Sequence, residues 1–281
     1  MLRLEREAAV ADLLPAERAG QWEASGVLAR DGFLYVVSDS RREVAVVTED
    51  LDPTGTLIAL PHGPAAGFED LAVDPGTGHY LLLVEALRRG SGWMAQVEEF
   101  DEQFRAVSRA WLDFRLPSAN KGLEGLTCVQ RGAQTFVLGL CEGNWCSHGE
   151  RGRTPGGGRI QVFVRADDAW PKVATVHLPA WLPFRDFSAL AAAGDRLAVV
   201  SQESSAVWTG RLDVERWEIM DDGAVRELPR DAHGERVYCN VEGVSWIGPD
   251  RLAMVSDRVK PGEQPQRCRA KEESIHVFGL D

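Results

Sequence analysis

Short apolar stretches recur along the chain, each ended by an acidic residue and separated from the next by clusters of Gly, Asp, Ser and Pro. The five most similar stretches read FLYVVSD (33–39), HYLLLVE (79–85), TFVLGLCE (135–142), RLAVVSQE (196–203) and RLAMVSD (251–257). Stretches of this length between turn-forming clusters predict antiparallel strands joined by tight turns. No segment between them keeps a 3.6-residue apolar period, so the pattern predicts few helices.

Each of these stretches belongs to a longer unit that also opens with an acid. The opening acids are Glu23, Glu69, Glu124, Asp186 and Glu242, and the closing acids are Asp39, Glu85, Glu142, Glu203 and Asp257. The two acids of a unit lie 15 to 18 positions apart, and the units recur every 46 to 62 positions. A period of this size indicates a repeat architecture.

The unit that opens at Asp186 indicates how many strands each repeat contains. It reads as DFSALAAAG (186–194), RLAVVSQE, AVWTGRLDV (206–214) and a fourth segment from Trp217 to Leu228. Units of four antiparallel strands in series predict an all-β, five-bladed β-propeller, with blade openings near the five opening acids. A six-bladed propeller, a β-sandwich and two smaller β-domains remain alternatives. All 281 residues are assigned to one domain, 1–281.

The last unit ends at SIHVFGLD (274–281), after only three strands. The segment REAAVADLL (6–14) can supply the fourth strand and cover the open edge. We therefore expect the amino-terminal strand to close the ring.

The acids should meet at one mouth of the central channel, because the start of one strand lies beside the end of its antiparallel neighbour, about 4.8 Å away. Like charges in a shared site raise one another's pKa. A calcium ion would relieve this repulsion, since it takes six to eight oxygen ligands. The alternative is that the acids only cap strands or pair with the nearby cations Lys121, Arg185, Arg41 and Arg258. A purely oxygen donor set argues against zinc.

The loops after the second strands share this mouth, and most of them are basic. Arg41 and Arg88 lie in two of them, and the longest loop contains Asn144, Trp145 and His148. Cationic side chains around an acidic centre favour a small anionic ligand. We expect His148 to act as a general base, Trp145 to stack on the ligand, and the other ligand contacts to come from Asn144, Lys121, Arg185, Arg41, Arg88 and Arg258. The alternatives are that the cations only neutralise the acids and that His148 is simply solvated.

Composition indicates which kinds of partner and which cellular location to expect. A net charge of −12 argues against nucleic-acid binding, which needs a basic surface. No apolar run of about 18 residues and no secretory signal is visible, so we expect a cytoplasmic protein with no membrane contact. Five cysteines with no paired zinc-type spacing predict reduced thiols.

The openings GLEGLT (122–127) and NVEGVS (240–245), with strands ending VVSDS and MVSD, resemble the SdiA-regulated and phytase-like esterase propeller families. The likeness covers the repeats from Glu23 onward. It implies a calcium-binding propeller and, for the phytase-like branch, hydrolysis of phosphate or carboxylic esters. Glu69, Glu124 and Glu242 match the motif, whereas Glu23 and Asp186 depart from it.

Two functions follow from these residues. The first is a calcium-dependent hydrolase of an anionic ester, phosphoester or lactone. The second is a non-catalytic scaffold that binds a small molecule or a protein. A propeller fold serves both and does not decide between them.

Overall fold

The computed structural model describes residues 1–15, 22–119, 121–166, 169–258 and 265–280. These residues form mostly β-strand, as predicted. The helical segments among them are short: Val10–Leu13 (α1), Gly149–Gly152 (α2), and the 3-10 turns Asn144–Cys146 and Gln266–Lys271.

The strands follow one another with few interruptions. The first part of the chain contains β1 (Leu2–Ala9), β2 (Ala24–Arg30), β3 (Phe33–Ser38), β4 (Glu43–Thr48), β5 (Pro53–Ala59), β6 (Asp70–Val73), β7 (Tyr80–Arg89), β8 (Gly92–Phe100) and β9 (Ala106–Leu116). The middle part contains β10 (Leu123–Arg131), β11 (Gln134–Cys141), β12 (Arg159–Val164) and β13 (Ala169–His177). The last part contains β14 (Ala189–Ala193), β15 (Arg196–Ser201), β16 (Ala206–Asp213), β17 (Glu218–Ile219), β18 (Ala224–Glu227), β19 (Val241–Trp246), β20 (Arg251–Ser256) and β21 (Ser274–Leu280).

Hydrogen bonding joins these strands into antiparallel meanders. One sheet runs β2-β3-β4-β5, another runs β14-β15-β16 with β17 and β18 both paired to β16, and a third runs β19-β20-β21-β1. The meanders β6–β9 and β10–β13 join into one eight-stranded sheet. Their junction is a short parallel pairing of Trp111–Asp113 in β9 with Ala169–Pro171 in β13.

The apolar core is divided among the interfaces between successive meanders. The first strands β2, β6, β10, β14 and β19 contact one another in cyclic order. Separate clusters of buried side chains fill the spaces between neighbouring sheets, for example Phe136 and Leu190 with Trp208, or Val27 with Ile275. Burial of these side chains stabilises the arrangement and fixes the ends of the first strands relative to one another.

The second strands lie where the sequence predicts them, at β3, β7, β11, β15 and β20. Two predicted segments differ. The fourth segment of the unit at Asp186 is interrupted, because the chain leaves the sheet between β17 and β18. The amino-terminal strand begins at Leu2 rather than at Arg6, and Val10–Leu13 is helical, since Val10 and Leu13 are buried on one side of a turn.

Candidate metal and ligand site

Two of the opening acids lie on β-bulges. Leu123 and Gly125 of β10 pair with the consecutive residues Cys141 and Leu140, so Glu124 is an extra residue. Glu242 occupies the same position between Val241 and Gly243 of β19. A bulged residue has no opposite partner, so its side chain is re-aimed away from the regular alternation of the sheet.

The glycine after each bulged glutamate is required by close packing of the first strands. A Cβ atom at Gly125 would lie 2.6 Å from the backbone nitrogen of Leu190, and one at Gly243 would lie 2.9 Å from that of Val27. These distances leave no room for a side chain. The recurring Glu-Gly pair therefore combines a re-aimed carboxylate with a contact between neighbouring first strands.

Serines take the equivalent position in two other repeats. Ser25 is the extra residue on the bulge of β2, and its hydroxyl donates to the carbonyl of Phe68, just before Glu69. Ser188 precedes β14 and donates to the carbonyl of Val241, just before Glu242. The predicted acids Glu23 and Asp186 lie two residues earlier in the chain. The innermost positions thus carry three glutamates and two serines rather than five acids, because the register of each first strand and not motif spacing decides which residue takes this position.

The closing acids approach these glutamates from the second strands: Glu85 lies within β7, where the pairing with β8 shifts register, and Glu142 directly follows β11. Glu85, Glu124 and Glu142 each offer a carboxylate oxygen, and these oxygens lie within 4.8 Å of one another. Glu85 accepts a hydrogen bond from the backbone N–H of Gly122 at 2.8 Å. This trio is able to hold a metal ion.

The trio and most of the other predicted acids lie close enough to raise one another's pKa values. Burial and the charges of Glu85, Asp39 and Asp257 raise the pKa of Glu69 to about 8. Burial and the charge of Glu142 raise the pKa of Glu85 to about 7. The acidic mouth, as we call the set Glu69, Glu85, Glu124, Glu142, Glu242, Asp39 and Asp257, is therefore short of positive charge.

Four further members of the acidic mouth, Glu124, Glu242, Asp257 and Asp39, also have raised pKa values. Burial and neighbouring carboxylates raise the pKa of Glu124 and of Glu242 well above the ordinary range of a carboxyl group. Burial, opposed by a backbone hydrogen bond, raises the pKa of Asp257 to about 7. Partial burial and the charge of Glu23 raise the pKa of Asp39.

Among the described residues, hydrogen-bond donors and positive charges compensate the carboxylates of the acidic mouth only in part. The ammonium group of Lys121 contacts Glu142 Oε1 directly. Glu142 Oε2 and Asp257 Oδ1 are buried and have no hydrogen-bond partner among the residues that the structure describes. A buried oxygen without a donor is costly, and a bound cation would satisfy it.

Asp186 and Glu203 lie beside the acidic mouth but have their own partners. Burial raises the pKa of Asp186 to about 6, although its Oδ1 accepts from Ser201 Oγ at 2.5 Å. Glu203 lies 2.7 Å from the guanidinium of Arg153 and 3.6 Å from that of Arg185.

A cavity of about 430 Å³ opens between these groups. Of the predicted residues, it is lined by Lys121, Glu142, His148, Arg185, Asp186 and Glu203. We call it the side cavity. The predicted base His148 is exposed at its rim, just before α2.

Other predicted ligand residues have different surroundings. The amide of Asn144 is fully buried and braces the loop: it donates to the carbonyls of Gly152 and Phe184 and accepts from the N–H of Gly157. The ring of Trp145 packs on Gly157, because Trp145 itself adopts a left-handed backbone with φ of 54°. Asn144 therefore shapes the loop, and neither residue is among those that line the side cavity.

Three predicted arginines also lie outside the side cavity lining. Arg41 lies 5.4 Å from the ring centre of Trp22 and 3.5 Å from Glu43. Arg88 is exposed on β7, and the backbone N–H of Arg258 bonds to Asp257.

The prediction of reduced thiols is wrong for four cysteines. Cys141 is bonded to Cys146 and Cys239 to Cys268, and Cys128 is free. Sequence spacing missed these pairs because each depends on the course of a loop, which brings Cys146 to the end of β11 in one pair and Cys268 to the segment before β19 in the other. Disulfides are rare in the cytosol, so these pairs weigh against the predicted cytoplasmic location.

Two useful residues of the side cavity were not singled out from sequence. Arg153 lies in the long loop that also contains Asn144, Trp145 and His148. Gln202 lies directly before the predicted closing acid Glu203. The basic composition of the loop was a usable signal for Arg153, whereas nothing local marks Gln202.

Within the described ranges, no helix is long and apolar enough to cross a membrane. The chain matches no known protein-family model and no curated protein sequence.

Several solved structures share the architecture. PQQ-bound aldose sugar dehydrogenase from Streptomyces coelicolor is 12% identical, with 100% of this chain and 98% of that chain covered and a TM-score of 0.51. Glutaminyl cyclase from Myxococcus xanthus is 11% identical, with 100% and 96% covered and a TM-score of 0.52. Luciferin-regenerating enzyme is 11% identical, with 97% and 94% covered and a TM-score of 0.53.

These three are β-propeller proteins, and none carries an SdiA-regulated or phytase-like name. At such low identity the likeness extends to the fold and not to activity. Together with the meander topology, it establishes that this chain has a β-propeller fold.

Proposed function

We propose that the protein is a calcium-binding, five-bladed propeller that hydrolyses an anionic ester, phosphoester or lactone at its acidic mouth. The observation that carries the proposal is the trio Glu85, Glu124 and Glu142, whose oxygens lie within 4.8 Å of one another beside the unpartnered Glu142 Oε2. Three carboxylates from three different strands or strand ends meet there, beside a cavity whose lining includes Lys121, Arg153 and Arg185.

Five blades are supported by the cyclic contacts of β2, β6, β10, β14 and β19. In this interpretation β9 and β13 are outer strands of adjacent blades that touch through their short parallel pairing. Closure by the amino-terminal strand is supported by its antiparallel pairing with β21, from Leu2 opposite Leu280 to Ala9 opposite Ser274.

The donor set fits calcium. Oxygens bound to one calcium ion at about 2.3–2.6 Å can lie at most about 5 Å apart, and the 4.8 Å spread of the trio is within that limit. Zinc fits less well, since it prefers nitrogen and sulfur donors and the nearby Cys141 and Cys146 are joined in a disulfide.

Residues of the side cavity would bind the substrate and transfer the proton. When bound, calcium supplies a Lewis acid that polarises an ester or phosphoryl oxygen. Lys121, Arg153 and Arg185 bind and orient the anionic part of the substrate. His148, on the rim of the same cavity, takes the proton from the attacking water.

Hydrolysis of soluble esters, phosphomonoesters and lactones, with calcium and with chelator, tests this function. We expect calcium-dependent turnover of one class, a fall of about 100-fold in kcat for His148→Ala, and loss of calcium dependence for Glu142→Gln. The matched control is Glu102→Gln, an exposed glutamate in a surface ion pair with Arg30. Calcium binding without turnover of any class would contradict the hydrolase.

A non-catalytic scaffold is the second candidate, since a triad-like hydrogen-bond order among the described residues is closed to substrate. Ser256 Oγ lies 2.8 Å from His276 Nε2, and His276 Nδ1 lies 2.8 Å from Glu7 Oε2, in the hydrogen-bond order of a serine-hydrolase triad. Ser256 and His276 are fully buried, so a substrate has no access to this hydroxyl. Calcium binding and ligand binding without turnover in the same assays would favour the scaffold.

A further inference from the structure

The side cavity is lined entirely by polar, charged and glycine residues. Its volume of about 430 Å³ lies within the range of small-molecule sites, about 300–1,000 Å³. Most such sites gain affinity from aliphatic and aromatic side chains, and the only side chain of that kind in this lining is the imidazole of His148. A ligand must therefore be held by hydrogen bonds and charge.

Cationic donors exceed their partners on one wall. Arg153 and Arg185 share the single carboxylate of Glu203, and both guanidinium groups are more than half exposed to solvent. Each guanidinium offers five N–H donors, and one carboxylate accepts about four hydrogen bonds. The surplus donors suit the paired oxygens of a carboxylate or phosphate group.

The inner wall offers acceptors instead. Gln202 Oε1 is buried without a hydrogen-bond partner among the described residues, so it calls for a donor. Asp186 also lines the cavity, and its carboxylate accepts from Ser201 Oγ and the N–H of Glu203. Hydroxyl groups donate to such acceptors, whereas esters and aromatic rings do not.

We propose that the side cavity binds a small, hydroxyl-rich anion, such as a sugar acid or a sugar phosphate. Its anionic group lies between Arg153 and Arg185, and its hydroxyls donate to Gln202 and Asp186. Within the proposed function a sugar phosphate is a phosphoester substrate and a sugar acid is the product of lactone hydrolysis, and the inference rests on that function for the location of the site. It needs no change in the trio Glu85, Glu124 and Glu142.

Isothermal titration of the full chain with D-gluconate and with glucose 6-phosphate, each with calcium and with chelator, tests the proposal. We expect at least one of the two anions to bind at least tenfold more tightly than sorbitol, which lacks the charge, and than hexanoate, which lacks the hydroxyls. Tighter binding of gluconate identifies a carboxylate, and tighter binding of glucose 6-phosphate identifies a phosphate.

Variants assign the binding to this cavity. Arg153→Ala and Arg185→Ala should each weaken binding by about tenfold or more, and Gln202→Leu should reduce the preference for gluconate over hexanoate. Arg105→Ala is the matched control, because Arg105 is exposed and paired with Asp101 at 2.7 Å in a turn outside the cavity lining. Melting curves of all variants confirm that they are folded.

The outcomes separate this inference from the proposed function. Calcium binding without binding of either anion overturns the ligand class and leaves the metal site standing. Anion binding that is lost in the arginine variants but indifferent to calcium supports the side cavity and counts against calcium. Anion binding that is unchanged in Arg153→Ala and Arg185→Ala overturns the assignment to this cavity.

Discussion

Two partly buried glutamates show opposite electrostatics at two places in the same molecule. At the acidic mouth, burial and the charge of Glu142 raise the pKa of Glu85 to about 7. In β1, burial also acts to raise the pKa of Glu7, but hydrogen bonds from His276 and Lys271 overcome it and lower the pKa to about 2. The difference lies in the neighbours, because burial pushes both carboxyls in the same direction.

The surroundings of Glu7 satisfy its charge. Its Oε1 accepts from Lys271 Nζ at 2.5 Å and its Oε2 lies 2.8 Å from His276 Nδ1, so β1 is tied to residues near and within β21. The acidic mouth instead holds many carboxylates and, among the residues that the structure describes, one contacting ammonium, that of Lys121. The negative charge of Glu7 is balanced in the folded protein, whereas the carboxylates of the acidic mouth repel one another unless protons or a cation bind to them.

The largest expected effect on the free energy of unfolding comes from removing the carboxylate of Glu7. Glu7→Ala should lower the free energy of unfolding by about 2–4 kcal/mol, because it leaves buried His276 and Lys271 without their carboxylate. Denaturant unfolding at pH 7 measures this. Glu102→Ala, the control at an exposed ion pair, should cost less than about 1 kcal/mol. Equal losses in the two variants would remove the contrast.

Removing a carboxylate from the acidic mouth should instead raise the free energy of unfolding of the calcium-free protein. In calcium-free protein at pH 8.5, Glu85 is ionised against its neighbours, so Glu85→Gln should raise the free energy of unfolding by about 1–2 kcal/mol. At pH 5 the native carboxyl is protonated and the variant should differ little from the parent. Destabilisation at pH 8.5 would show that the acids of the mouth are already compensated.

The two regions also predict opposite responses to pH in the calcium-free protein. Glu69 and Glu85 have pKa values of about 8 and 7, above their usual value of 4.5, so the folded state holds extra protons and stability falls as pH rises from about 4.5 to 8. Glu7 and Glu99 have pKa values of about 2, so their contribution is lost as pH falls from about 4.5 towards 2.

Melting temperatures of chelator-treated protein between pH 3 and 9 check this balance. We expect a maximum near pH 5 and a decline of a few degrees by pH 8, which added calcium should abolish. A maximum near pH 7 or 8 without calcium would contradict the pKa pattern of the acidic mouth.

The smallest effect is expected from the internal cation. Lys121→Met removes the ammonium from Glu142, so the calcium-free protein should lose about 1 kcal/mol of stability. Calcium should then bind several-fold more tightly, because no internal charge competes for Glu142. Unchanged calcium affinity would place the ion away from Glu142.

Sequence pattern was enough to predict the second strands, since each is a continuous apolar run such as Arg196–Ser201. It also predicted that acids from distant repeats meet, because strand ends in a meander share an edge. It could not predict that Ser25 and Ser188 take the innermost positions. Bulge register depends on pairing between two strands and on contact with the next sheet, and neither leaves a local signature.

The side chains of the side cavity were only partly predictable. The loop after β11 pointed to His148, and the position of Arg185 directly before Asp186 pointed to that arginine; both residues line the cavity. The same loop suggested Asn144, whose amide is consumed by backbone groups instead. The disulfide between Cys141 and Cys146 and the position of Gln202 depend on the three-dimensional course of the loop.

The central claim is that the acidic mouth holds a cation. Isothermal titration of chelator-stripped protein with calcium at pH 6 and pH 8 tests it most directly. We predict stoichiometric binding that tightens from pH 6 to pH 8, because protons and calcium compete for the same carboxylates, and that weakens strongly in Glu124→Gln. No binding at either pH, or binding indifferent to pH and to Glu124→Gln, would contradict the account.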